Sequence, residues 1–146
     1  MSIPLIIYWV LSLTVLVIGI LAVWKGAPPE RLGAGLILGV VVVGRLIGIF
    51  LPKDALPLLR LIEDGVTALG LLAIAVRYAS FWLGGAMLLY GCLFALHAFY
   101  FVTDMPPDLM YTVVIDLCFL GVNVFLGLAT ALSWREGIRR RRSPPS

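Results

Sequence analysis

Residues 3–24 carry no charged side chain, and stretches nearly as apolar recur at about residues 33–51, 80–101 and 109–134. A predominantly apolar run of roughly 20 residues matches the length a helix needs to cross a hydrocarbon layer about 30 Å thick. Composition agrees, since 62% of the 146 residues are hydrophobic and 13% are charged, with a mean hydropathy of +1.08. A soluble domain of this size would lack the polar surface to cover such a core.

The expected fold is therefore all-α, a polytopic membrane bundle of five transmembrane helices at about residues 5–24, 33–51, 57–78, 80–101 and 109–134. These form one domain, residues 1–134, and a basic tail follows at 135–146. The first segment lacks the basic region that opens a secretory leader, so it is read as the first helix. KGAPPER is read as a break between helices, with its prolines ending regular structure and its charges in water. LPKDALP, the short Arg77-Tyr78 hairpin and VTDMPPD are the other turns. The second helix places Gly35, Gly39, Gly44 and Gly48 in two GxxxG spacings, a face on which another helix can pack closely.

Basic residues set the expected orientation. Lys25, Arg31, Arg77, Arg135 and the run Arg139, Arg140, Arg141 and Arg142 fall on one side of a five-helix chain, and Lys53 with Arg60 on the other. Cytoplasmic loops carry the excess of Lys and Arg, so the C-terminus is expected in the cytoplasm and the N-terminus in the periplasm. The net charge of +3 describes this tail rather than a nucleic-acid surface.

The chemistry concentrates near one membrane face, in LHAFYFVTDMPPDLMYTVVID. His97, the single histidine, lies there with Tyr100, Tyr111, Asp104, Asp108 and Asp116. Helical rise of about 1.5 Å per residue brings Arg45 and Glu63 to a similar depth, roughly 6 to 10 Å below the outer helix ends. Arg60, Glu63, Asp64 and Thr67 form one stripe on the third helix. Ionisable groups inside a span are costly and mark either a paired network or a functional site. Arg45 is expected to pair with Glu63 or Asp64, and His97 with Asp116 or a tyrosine hydroxyl. His97 is also the side chain whose ordinary titration falls near neutral pH.

Catalytic patterns do not emerge. No GxSxG, P-loop or dinucleotide motif is present, and one histidine with scattered carboxylates lacks the spacing of a metal site. No cofactor is expected, and Cys92 and Cys118 read as small buried side chains rather than a disulfide framework.

Residues 70–134, with an aromatic-flanked LHAFYF segment before an acidic proline turn, resemble a group of small uncharacterised multi-span proteins of bacterial inner membranes. The resemblance implies a bacterial origin and a multi-pass fold, and no reaction. The expected role is an accessory or assembly component that packs against other membrane subunits or further copies of itself within the lipid bilayer. The rival is a carrier or sensor that binds a proton or small ligand at the polar cluster.

Overall fold

The computed structural model describes the backbone from residue 3 to 142 and the side chains of residues 10–138. It holds five helices: α1 (Ile3–Lys25), α2 (Pro28–Phe50), α3 (Leu56–Tyr78), α4 (Phe81–Thr103) and α5 (Leu109–Arg142). A single 3-10 turn, Lys53–Ala55, lies between α2 and α3. Each helix packs against its neighbours in the chain, α5 closes the ring against α1, and α2 also touches α5 across the middle. Short connections make this arrangement almost obligatory, since they leave successive helices antiparallel and adjacent.

The helix ends follow local chemistry. Pro28 and Pro29 do not merely interrupt the chain; they occupy the first positions of α2. Proline fits there because the missing N–H would have had no intrahelical acceptor. The second helix therefore starts five residues before residue 33, the start expected from the sequence. Two non-glycine residues, Ala79 (φ 45°) and Asp104 (φ 51°), turn the chain out of α3 and α4 in the left-handed conformation. The last helix continues to Arg142, into the basic tail expected to begin after Trp134.

The surface of the bundle carries many large apolar side chains, and its interior holds several polar ones. Phe50, Val76, Phe81, Val102 and Leu109 are exposed, whereas Asp64, Thr67, His97, Asn123, Thr130 and Glu30 are buried. That distribution suits a hydrocarbon solvent, in which association rests on close packing and internal hydrogen bonds. Three helices, α2, α4 and the part of α5 up to Ile138, are long and apolar enough to cross a membrane. The described part of α1 is apolar but shorter, Val10–Lys25. Arg60, Glu63, Asp64 and Arg77 give α3 more charged side chains than α1, α2 or α4.

Small residues decide how closely the helices approach. The indole of Trp82 lies directly on Gly33, where a methyl group would overlap the ring. Of the glycines singled out in the sequence, Gly44 carries the Glu63 carboxylate against it, and Gly48 meets Leu56 and Leu59 at 3.7 and 3.9 Å. Gly35 and Gly39 meet nothing within 4 Å.

Candidate functional site

α4 turns Leu83, Ala86, Tyr90, Leu93 and His97 toward the interior, and α3 turns Asp64, Thr67 and Leu71. These spacings of three, four and seven residues are the single-face repeat of a helix. Where the two faces meet near the α4–α5 loop, Nδ1 of His97 is bonded to Oδ2 of Asp64. Both side chains are removed from solvent, at 7% and 8% exposure. The carboxylate beside the histidine is therefore Asp64, not Asp116.

Asp116 misses the site for a geometric reason. It lies five residues beyond Tyr111, which on a helix turning 100° per residue is about 140° around the axis. Tyr111 faces inward with Cys118, Val122 and Leu126, and Asp116 sits half-buried to one side, with no hydrogen bond or ion pair among the described residues.

Aromatic rings close the pair from the α5 side. Tyr111 stands edge-on to the imidazole with centroids 5.6 Å apart, and Tyr100 stands edge-on to Tyr111 at 4.8 Å. Nη1 of Arg60 donates to the Tyr111 hydroxyl at 3.3 Å. The Glu63 carboxylate rests on the α2 backbone at Gly44, within electrostatic reach of Asp64, Arg60, Arg45 and His97. Asp64 is thus engaged by His97, and Arg45, exposed on α2, lies within electrostatic reach of Glu63. Tyr90 lies two turns from His97 on the same face, within electrostatic reach of Asp64 and Glu63.

The acidic loop serves α5. Oδ1 of Asp108 accepts from the Tyr111 backbone N–H at 2.8 Å and from the Tyr100 hydroxyl at 2.7 Å. It caps the first turn of α5 and ties it to α4. The Tyr100 hydroxyl, and after it the Tyr111 N–H, hold the Asp108 carboxyl below the usual carboxylate range. A carboxyl depressed on folding stabilises at pH values above its unfolded pKa of about 3.9 and loses that contribution as pH falls through the folded value. Asp108→Ala should accordingly lower the melting temperature in detergent at pH 7, with a smaller deficit at pH 3. An equal deficit at both would mean the carboxylate does not cap. Asp104 ends α4 and is exposed.

Among the described residues, half of the buried polar ones, Thr67, Asn123 and Thr130, are satisfied within their own helices. The hydroxyls of Thr67 and Thr130 and the amide of Asn123 donate to carbonyls one turn back on their own helices, at 2.7, 2.8 and 2.7 Å. Such bonds leave a side chain little capacity for a ligand. Three buried atoms among the described residues have no partner: Nε2 of His97, Oε2 of Glu30 and Nε1 of Trp82. No three His, Cys, Asp or Glu side chains among the described residues gather closely enough to hold a metal ion. Cys92 and Cys118 are free thiols, Cys118 buried and Cys92 exposed.

Glu30 was not among the residues expected from the sequence. It is 3% exposed, although KGAPPER reads as a solvated turn. The signal was present: with the helix begun at Pro28, Glu30, Gly33, Ala34 and Ile37 share one inward face. No protein-family model, curated protein or solved structure matches the chain.

Proposed function

We propose that this chain is a small multi-pass membrane protein in which the Asp64–His97 pair takes up and releases a proton, as the sensing or carrying element of the bundle. The observation that carries the reading is the buried pair with Nε2 of His97 left open. If the neutral ring donates Nδ1–H to Asp64, it presents a bare acceptor at Nε2. A proton, or a small donor group, is what this atom lacks. Charged and titratable neighbours stand around it on three helices: Arg60, Glu63 and Asp64 on α3, Tyr111 on α5, Tyr90 and Tyr100 on α4. Arg45 of α2 acts through Glu63.

All five helices span the membrane in this reading, with α3 admitted because its charges face partners rather than lipid. The tail and its basic loops lie in the cytoplasm, and the pair lies in the periplasmic half of a bacterial inner membrane. The asymmetry of Lys and Arg supports the orientation, and the LHAFYF resemblance supports the source.

The test is NMR of ring-labelled His97 in nanodiscs across pH 5 to 8, the range in which a histidine switches. The expected result is a pH-dependent change at both ring nitrogens whose midpoint moves in Asp64→Asn. Ring signals constant across the range would remove the reading.

A second reading is a subunit that docks against other membrane proteins. The observation favouring it is a groove of about 490 Å³ on the outer face of α4, lined by Gly84, Met87, Leu88, Gly91, Cys92 and Ala95. Small residues of this kind admit a neighbouring helix closely. Extraction in mild detergent separates the two: a stoichiometric membrane partner supports docking, and a lone chain that still titrates supports the proton site.

A further inference from the structure

The end of the bundle opposite His97 holds a second pair of unsatisfied polar atoms. Glu30 in the first turn of α2 and Trp82 in the first turn of α4 are each 3% exposed. Oε2 of Glu30 accepts no hydrogen bond and Nε1 of Trp82 donates none among the described residues. The two come from different helices to one place. Gly33 lies one turn beyond Glu30 on the same face of α2, and the Trp82 ring edge resting on it runs from Cη2 to Cζ2, next to the carbon that carries Nε1. A buried carboxylate acceptor and a buried indole donor therefore lie at the same end of the α2–α4 contact, neither with a hydrogen-bond partner among the described residues.

An unpartnered buried polar group is costly, and a carboxylate more so. A water molecule that accepts from the indole N–H and donates to the carboxylate satisfies both, and water is also what delivers a proton. We propose that Glu30 and Trp82 form a second proton-exchange site, in which a hydronium ion reaching the bridging water gives its proton to Oε2 of Glu30 and leaves as water, Trp82 fixing the water by its N–H. Among the described residues the charged groups at this end are Lys25 of α1, Arg31 of α2, Arg77 of α3, and Arg135 and Glu136 of α5, while α4 contributes the neutral Trp82. Three of the cations are engaged elsewhere: Arg31 donates to the Gly26 carbonyl at 2.8 Å, Lys25 lies 4.0 Å from the Trp24 ring, and Arg77 lies 5.8 Å from the Tyr78 ring.

Fifteen residues of α4 separate Trp82 from His97, about 22 Å along a helix. Ala34, Ile37, Leu71, Leu83 and Ala86 line the space between, with Thr67, Tyr90 and Asn123 as buried polar side chains among them. The two proposed sites thus lie toward opposite ends of a largely apolar interior. The Glu30 site stands whether or not the His97 pair titrates.

Infrared difference spectroscopy of the full chain in liposomes, stepping the pH down in H2O and in D2O, tests this directly. The expected result is a protonated-carboxyl carbonyl band that rises on acidification, shifts in D2O, disappears in Glu30→Gln, persists in Asp64→Asn and moves in Trp82→Phe. A band unchanged in Glu30→Gln would overturn the proposal, and one unmoved in Trp82→Phe would overturn the role of the indole. Should Glu30→Gln fail to fold, the wild-type chain is treated with dicyclohexylcarbodiimide, which modifies protonated carboxyls in apolar surroundings. Modification of Glu30 that increases as pH falls supports the site, and an unmodified Glu30 overturns it.

Discussion

Asp64→Ala should destabilise the bundle by about 3 to 5 kcal/mol, the usual cost of leaving one member of a buried ionic or charge-assisted pair without the other. The imidazole of His97 would keep its place on α4 with Nδ1 facing a void, and Nε2 already lacks a partner. The double replacement Asp64→Leu with His97→Leu should cost less than Asp64→Ala alone, because two apolar side chains of similar bulk remove both desolvated groups at once. Tyr111 and Thr67 flank the pair, so the variants must also be compared for helix content. The measurement is an unfolding titration in mixed micelles on wild type, Asp64→Ala, His97→Ala and the combined alanine variant. Strictly additive losses, with a coupling below about 0.5 kcal/mol, would show that the two side chains do not interact in the membrane.

Gly33→Ala should cost about 1 to 3 kcal/mol, the range for forcing an extra carbon into a packed interior. The added methyl would meet the rigid, buried Trp82 ring rather than the movable tip of a side chain. Gly39→Ala on the same helix meets nothing within 4 Å and should leave stability unchanged. It would gain up to about 1 kcal/mol if helix propensity dominates. Trp82→Phe should recover part of the loss in the Gly33→Ala background, since the smaller ring withdraws from α2. Equal effects of the two alanine substitutions would mean that α2 and α4 do not approach as described. The comparison also corrects an emphasis that spacing alone encourages. Gly35 and Gly39 satisfy GxxxG and face open space, while Gly33, outside that pattern, sits under the indole.

Apolar runs were enough to find the helices, and helical spacing put Asp64 and Thr67 on one stripe of α3. The inward face of α4, through Leu83, Ala86, Tyr90, Leu93 and His97, emerged only from packing, because α4 is apolar nearly all round. The depth of the polar layer does follow from the sequence, because rise per residue is nearly constant. Rotation about each helix axis does not follow as readily. Asp116 and Asp64 lie at comparable depth, and only the packing of α3 against α4 gives Asp64 to His97. Glu30 escaped notice because a charge next to two prolines reads as a solvated turn. Its burial depends on α2 beginning at Pro28 and on α4 bringing Trp82 over Gly33.

The sequence by itself determined that this chain forms apolar helices, about where they begin and end, and that its polar groups cluster near the α4–α5 turn. Those properties are local: they depend on hydrophobic runs, proline positions and residue spacing along one chain direction. Tertiary structure alone decided which groups are partners, joining Asp64 to His97, seating Glu63 on Gly44 and leaving Nε2 of His97, Oε2 of Glu30 and Nε1 of Trp82 without bonds among the described residues. The reason is that pairing across helices depends on their relative rotation and separation, which side-chain volumes such as those at Gly33 and Gly44 set only when the helices meet.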